Sequence, residues 1–273
     1  MSDVLVVIGV GGMGEAIARR LGPGRQVFLA DFEEETLNRV TTALAADGYQ
    51  ARSVPVDVSD RDSVSALAQQ AAAAGSVTAL AHTAGLSPAQ ASSTAILAVD
   101  LAGVAFVLDE FGKVIAPGGA AVVIASMAGS LFAGHLPADA ETALATSPAD
   151  NLLDLPLLSD EEMKYPGIAY AVAKRANQLR VQAASLAWGR RGARVNSISP
   201  GVISTAMGRQ ELAGESGAGM RAMVAASGTQ RLGTAADIAN AAAFLLGPDA
   251  PFITGTDVLV DGGAVAAARH GAV

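Results

Sequence analysis

The sequence predicts an α/β chain, a doubly wound parallel sheet of about seven strands with helices on both faces. Short β-branched runs recur along its 273 residues, and Ala-rich segments of helical length lie between them. In those segments apolar positions fall three and four apart, the spacing of one helix face. The first run also ends in a glycine-rich turn that leads straight into such a segment. Strands are read at Val4 to Ile8, Gln26 to Ala30, Ala51 to Val56, Val77 to Ala81, Ala120 to Ala125, Arg194 to Ile198 and Asp257 to Val260. Helices include Glu33 to Ala46 and Ser63 to Ala74. Ligands of such a sheet bind beyond the carboxyl ends of the strands, so functional residues should follow strands.

Composition narrows the class. A chain that is 51% apolar and 16% charged is not disordered, and its length suits one domain over residues 1–273. The formal charge of −8 argues against a nucleic-acid partner, since Arg190, Arg191 and Arg194 form the only basic cluster. With no cysteine there are no disulfides, thiolate metal sites or cysteine nucleophiles, and His82, His135 and His270 have no metal-ligand spacing. Val114 to Ala138 lacks charge over a length that could span a bilayer, but Pro117, Gly118, Gly119, Gly129, Gly134 and Pro137 interrupt it. It reads as a buried strand and a loop, and no membrane partner is expected. Ser2 and Asp3 lead directly into the first strand without a basic region, which predicts a cytoplasmic protein.

Each strand end then offers candidates. Gly9-Val10-Gly11-Gly12-Met13-Gly14 fits G-x-G-x-x-G between a strand and a helix, the Rossmann-type context for a dinucleotide. Glycines there let a pyrophosphate approach backbone N–H groups and the positive end of the helix dipole. The alternative is a plain turn in a glycine-rich chain. Asp31 ends the second strand, twenty residues after Gly11, where an acid bonds the ribose hydroxyls of NAD and repels the 2′-phosphate of NADP. Asp31 and Glu34 also have capping-box spacing, as do Ser59 and Asp62 beyond Asp57.

Of three tyrosines and three lysines, only Tyr170 and Lys174 stand four apart with the tyrosine first. On a helix they share a face. An ammonium at about 4 Å would lower a phenol by roughly three pKa units, to near 7, where a general acid/base is useful. An exposed helical Tyr and Lys is the alternative.

The order of Gly-rich turn, Asp31, Asp57-Val58, Ser126, Tyr170-Ala171-Val172-Ala173-Lys174, Arg194 to Gly201, Arg231-Leu232-Gly233 and Thr254-Gly255 to Gly263 resembles the short-chain dehydrogenase/reductase family over almost the whole chain. Within it, the long stretch between Ser126 and Tyr170, Ala187-Trp188-Gly189 and Ser199-Pro200-Gly201 look most like bacterial 3α-hydroxysteroid dehydrogenase/carbonyl reductase. The resemblance implies that Ser126 binds the substrate oxygen, that Tyr170 is the acid/base, and that Lys174 binds the nicotinamide ribose and tunes Tyr170. Pro200, Gly201, Ile203 and Thr205 would hold the carboxamide. Otherwise Ser126 is a turn serine, Pro200-Gly201 a turn and Thr205 a helix cap. A homodimer or homotetramer is implied through the apolar helices around Ala95 to Ala116 and Gly167 to Gly189.

This chain also departs from the family pattern. Gly9 and Gly12 are separated by two residues rather than the usual three. His82-Thr83-Ala84-Gly85 replaces Asn-Asn-Ala-Gly, although Ala84 and Gly85 still allow close approach of a cofactor. Asp100 stands where the family has the Asn that anchors a proton-relay water, and its charge would offset part of the effect of Lys174 on Tyr170.

Residues 133–168 carry Pro137, Pro148, Pro156 and Pro166, the run Leu152 to Leu158, and seven acids against Lys164. They read as an inserted lid or arm whose leucines face an apolar substrate or a neighbouring subunit, and whose charge disfavours polyanions such as acyl-coenzyme A. The expected activity is NAD-dependent interconversion of an apolar secondary alcohol and a ketone, a hydroxysteroid for example. The alternatives are a non-catalytic NAD-binding scaffold on the same fold, and an epimerase or dehydratase holding NAD tightly.

Overall fold

The computed structural model describes residues 2–271. Its strands are β1 (Asp3–Ile8), β2 (Gln26–Asp31), β3 (Gln50–Pro55), β4 (Ser76–His82), β5 (Ile115–Ile124), β6 (Arg194–Pro200) and β7 (Asp257–Val260). All pair in parallel in the order β3-β2-β1-β4-β5-β6-β7. The chain winds outward from β1 to β3 and then crosses back to β4, so β1 and β4 flank the point where the winding reverses. Between the strands run α1 (Gly12–Leu21), α2 (Glu34–Ala46), α3 (Arg61–Ala74), α4 (Ser93–Ile96), a π-helical turn (Leu97–Ala102), α5 (Gly103–Val114), α6 (Met127–Leu131), α7 (Ala138–Thr146), α8 (Pro166–Arg190), α9 (Ala206–Ala213), α10 (Gly217–Ala226) and α11 (Ala235–Leu246), with α12 (Ala264–Arg269) after β7.

The central strands are apolar runs because helices cover both faces of the sheet. Alternation divides β1 between two cores. Val4, Val6 and Ile8 pack with Leu67, Phe106 and Val172 of α3, α5 and α8, whereas Leu5 and Val7 pack with Ile17, Leu37 and Ile238 of α1, α2 and α11.

Several local expectations need correction. Strand β5 starts at Ile115, five residues before the predicted Ala120, because Ile115 pairs with Val77 and the residues between it and Ala120 bulge out of the ladder, with Gly118 turning the chain at φ +80°. No capping box forms at Asp31 or Ser59. Helix α2 starts from Glu33 without a side-chain cap, and α3 is capped by Asp60, which accepts from the Asp62 amide. Asp57 bonds the amide and hydroxyl of Ser59 instead.

The insert at 133–168 does not hang over the strand ends. Leu144, Ala149, Leu152, Leu158 and Met163 are buried in the same core as Phe106 and Val172, while Leu153 faces solvent. Helix α7 lies on α8, and the 3₁₀ turn Ala149–Asp154 lies on the π turn and α5. Two acids of the insert pair with the body of the chain, Asp150 with Arg61 at 2.9 Å and Glu141 with Arg175 at 2.7 Å. Part of the apolar surface that the sequence assigned to a subunit contact is thus covered by the chain's own insert. Among the described residues no helix is long and apolar enough to cross a membrane.

Candidate active site

Two adjoining cavities lie at the carboxyl ends of the strands. The first, about 570 Å³, is lined by Gly9, Gly11, Gly12, Met13, Asp31, Asp57, Val58, Ala84 and Gly85. The second, about 690 Å³, is lined by Ser126, Tyr170, Lys174, Pro200, Gly201, Ile203 and Thr205. Met13, Thr83, Gly85, Leu86, Thr205 and Met207 belong to both, so the two are compartments of one cleft. No residue of the insert lines either wall, so its acids do not touch what enters.

The first compartment suits a dinucleotide. Gly9 turns at φ +84°, and a Cβ there would collide with the backbone of Ala84. Gly14 is packed against the Gly9 carbonyl. At Gly11 a side chain would meet nothing within 4 Å, and at Gly12 it would meet Thr205 at 3.1 Å, so bare backbone faces the cavity. No side chain caps the first turn of α1, which leaves its amides free for an anion. Asp31 is fixed by two amides, Val10 to Oδ2 at 2.7 Å and Glu33 to Oδ1 at 3.0 Å. Thr83, which the motif reading passed over, ties β4 to the turn by donating from Oγ1 to the Gly9 carbonyl at 2.5 Å. The residues present therefore fit a nicotinamide dinucleotide.

In the second compartment Ser126 follows β5 and caps α6, where its Oγ accepts from the Ala128 amide at 3.1 Å. Its hydroxyl proton is left to donate. Lys174 Nζ lies 5.4 Å from the centre of the Tyr170 ring, 3.0 Å from Asp100 Oδ2 and 3.4 Å from the Ile124 carbonyl. Asp100 sits on the π turn, is wholly buried, and accepts from the Leu86 amide on Oδ1 at 2.7 Å. Gly85 leaves room beside this pair, since a Cβ would come within 3.1 Å of Asp100 Oδ2 and 3.2 Å of Lys174 Nζ. Thr205 is the cap of α9 and also lines the cleft.

Electrostatics correct one expectation. Tyr170 lies above the ordinary phenol value, not near 7, because burial outweighs the pull of Lys174 and the Asp100 charge adds to it. Burial alone would lower the Lys174 ammonium, but Asp100 and then Tyr170 hold it above the usual lysine value. Burial likewise raises Asp100 against the pull of Lys174.

His82, at the end of β4, is buried with no protein partner for either ring nitrogen among the described residues. Burial first, and the charge of Lys174 second, pull its pKa down to about 3. The unfolded chain would take up a proton near 6.5 that the folded protein refuses, so stability falls as pH drops from about 6.5 towards the folded value, by up to about 1.4 kcal/mol per pH unit. Urea midpoints near pH 7 and pH 5 should therefore differ less in His82→Asn than in the native protein. An equal difference in both would refute this.

The sequence pattern missed Val99, Met207 and Glu211 as lining residues. Met207 and Glu211 stand four apart on α9, a spacing visible in the chain but silent about what the face contacts.

Comparison with known proteins agrees with this geometry. Residues 3–138 match the family described as short chain dehydrogenase, and residues 158–265 match that described as enoyl-(acyl carrier protein) reductase. The short-chain dehydrogenase/reductase bsc3 of Alternaria brassicicola is 46% identical over 265 residues, covering 97% of this chain and 96% of the relative. D-threitol dehydrogenase of Mycolicibacterium smegmatis is 30% identical over 270 residues, covering 95% and 91%. A solved short-chain type dehydrogenase/reductase from Mycobacterium ulcerans superposes with a TM-score of 0.75 at 25% identity, covering 97% and 90%. The chain belongs to the short-chain dehydrogenase/reductase family, whose enzymes use nicotinamide cofactors.

Proposed function

We propose that the protein is an NAD-dependent oxidoreductase that interconverts an apolar secondary alcohol and its ketone. The observation that carries this reading is the convergence of Ser126, Tyr170 and Lys174 on a largely apolar compartment that opens into the glycine-lined one. Gly9, Gly11, Gly12 and Asp31 would hold the dinucleotide, which would supply the hydride acceptor for alcohol oxidation and the hydride donor for ketone reduction. Ser126 donates its free proton to the substrate oxygen. Tyr170 takes the hydroxyl proton on Oη in oxidation and gives it back in reduction. Lys174, clamped by Asp100, keeps its ammonium beside the phenol and favours the phenolate.

NAD is favoured over NADP by the surroundings of Asp31. No lysine or arginine lines the first compartment among the described residues, so nothing there pairs with a 2′-phosphate, and Asp31 repels it. The finer substrate class is supported by the methionine and leucine walls, a surface suited to hydroxysteroids among other apolar alcohols. The relative named D-threitol dehydrogenase supports alcohol oxidation as the reaction.

The test is cofactor titration followed by alcohols of graded size. NAD should bind more tightly than NADP by about tenfold or more, and NADH should form with apolar cyclic secondary alcohols. Tighter NADP binding would overturn the role of Asp31. Absence of net NADH with every alcohol would overturn the oxidoreductase reading, and cofactor retained through purification would then favour epimerase or dehydratase chemistry.

A further inference from the structure

The substrate compartment is apolar on most sides, with Met13, Met127, Met220, Met223 and Leu131 among its walls. One wall is different. Helix α9 turns Met207, Gly208 and Glu211 to the cavity, while Arg209 and Gln210 are exposed on its far side. Gly208 fixes that orientation, because a Cβ there would collide with the Ile203 carbonyl. Glu211 is half-buried and close enough to Tyr170 to raise the phenol by its charge, so it looks into the chamber where the phenol works.

The carboxylate has no counter-ion. Among the described residues no salt bridge reaches it, and Lys174, the one cation lining the compartment, is held by Asp100 at 3.0 Å. Its near neighbour is the buried Ser87, whose hydroxyl makes no hydrogen bond of good geometry. Burial pushes the Glu211 carboxyl above its ordinary value, against the weaker pull of the Ser87 hydroxyl. Glu215, which also borders the cavity, is exposed and solvated. A half-buried carboxylate in an apolar wall lowers its cost by meeting a donor, and the protein supplies none of adequate geometry.

We propose that Glu211 is a specificity determinant that accepts a hydrogen bond from a second hydroxyl of the substrate. This rests on the oxidoreductase reading and deepens it. The substrate class becomes an apolar diol or hydroxyketone, with the reacting carbon at Ser126 and Tyr170 and the remote hydroxyl at Glu211. A hydroxyl suits the site better than an ammonium, which would have to shed its water in a chamber that already holds the charge of Lys174.

Matched pairs test it: cyclohexanol against cyclohexane-1,3- and 1,4-diol, and decalin-2-ol against decalin-2,6-diol. Each is assayed for kcat/KM with the native protein, Glu211→Gln and Glu211→Leu. Dissociation constants for the same pairs are measured by calorimetry on NAD-loaded Tyr170→Phe protein, which binds without turnover, with and without Glu211→Leu. The native protein should favour the better-spaced diol by about 10- to 100-fold in kcat/KM and in affinity. Glu211→Gln, which keeps an acceptor, should retain part of that preference, and Glu211→Leu should reverse it and raise kcat/KM for the mono-ol. Equal ratios in native and Glu211→Leu protein overturn the proposal. A preference for 4-aminocyclohexanol over the diol, lost in Glu211→Gln, also overturns it, in favour of an ammonium. If the native protein oxidises none of the alcohols, the oxidoreductase reading fails, and the calorimetric ratio still decides the role of Glu211.

Discussion

Tyr170→Phe should lower kcat/KM for alcohol oxidation by about 100- to 10,000-fold, the range over which a positioned acid/base acts, while NADH affinity holds. Of Ser126, Tyr170 and Lys174, the phenol oxygen is the group suited to take the proton. Ser126 has its Oγ engaged by the Ala128 amide and too weak an acidity to serve as a base, and Lys174 is held as an ammonium by Asp100. The ring itself contributes packing, which Phe preserves. Single-turnover rates separate the chemical step from binding, and quenching of protein fluorescence by NADH reports the latter. A Phe variant that oxidises alcohols at the native rate would remove Tyr170 from the mechanism.

Asp100 gives the second large effect, and its two variants separate charge from packing. Asp100→Leu leaves Lys174, whose side chain is 5% exposed, buried without a counter-ion, and should cost about 3–5 kcal/mol of stability. Asp100→Asn keeps an acceptor for the Leu86 amide and removes only the charge. The sign of its effect follows from the shifts. The Asp100 carboxylate raises both Tyr170 and Lys174, so without it both protons leave at lower pH. Oxidation needs the phenolate and rises with pH, and in Asp100→Asn that rise should move to lower pH. Reduction, which needs the protonated phenol, should lose its alkaline range by the same displacement. Urea titration reads the first variant and pH profiles of both directions read the second. An unchanged profile in Asp100→Asn would confine Asp100 to a structural role.

What could be read in the chain was whatever depends on local spacing. The strand runs other than the start of β5, the glycine turn and the helical pair Tyr170 and Lys174 are set by local residue pattern and by residues that tolerate unusual backbone, as Gly9 does at φ +84°. Asp31 follows from counting along one strand–helix–strand unit. What escaped depends on burial and on distant partners. The pairwise attraction of Lys174 for Tyr170 was legible, but the desolvation that outweighs it arises only when α8 packs on β6 and α6 and the π turn brings in Asp100. Leu152 and Leu153 are neighbours of the same type, yet one is wholly buried and the other 41% exposed, because the 3₁₀ turn sets which of them meets α5. Glu211 carried no motif, since its significance lies in the apolar company it keeps.

The way residues 133–168 attach to the body has a bearing on recombination. With Leu144, Leu152 and Leu158 sunk among α5 and α8, this segment is not a detachable module that could be trimmed or grafted to alter substrate range. Excising it would strip a face from the core, and transplanting it would succeed only together with the helices that receive it. In a shuffled gene, crossovers within the segment would separate partners that have to be inherited as one block, whereas the wall that meets substrate, on α9 and α10, can vary without disturbing them.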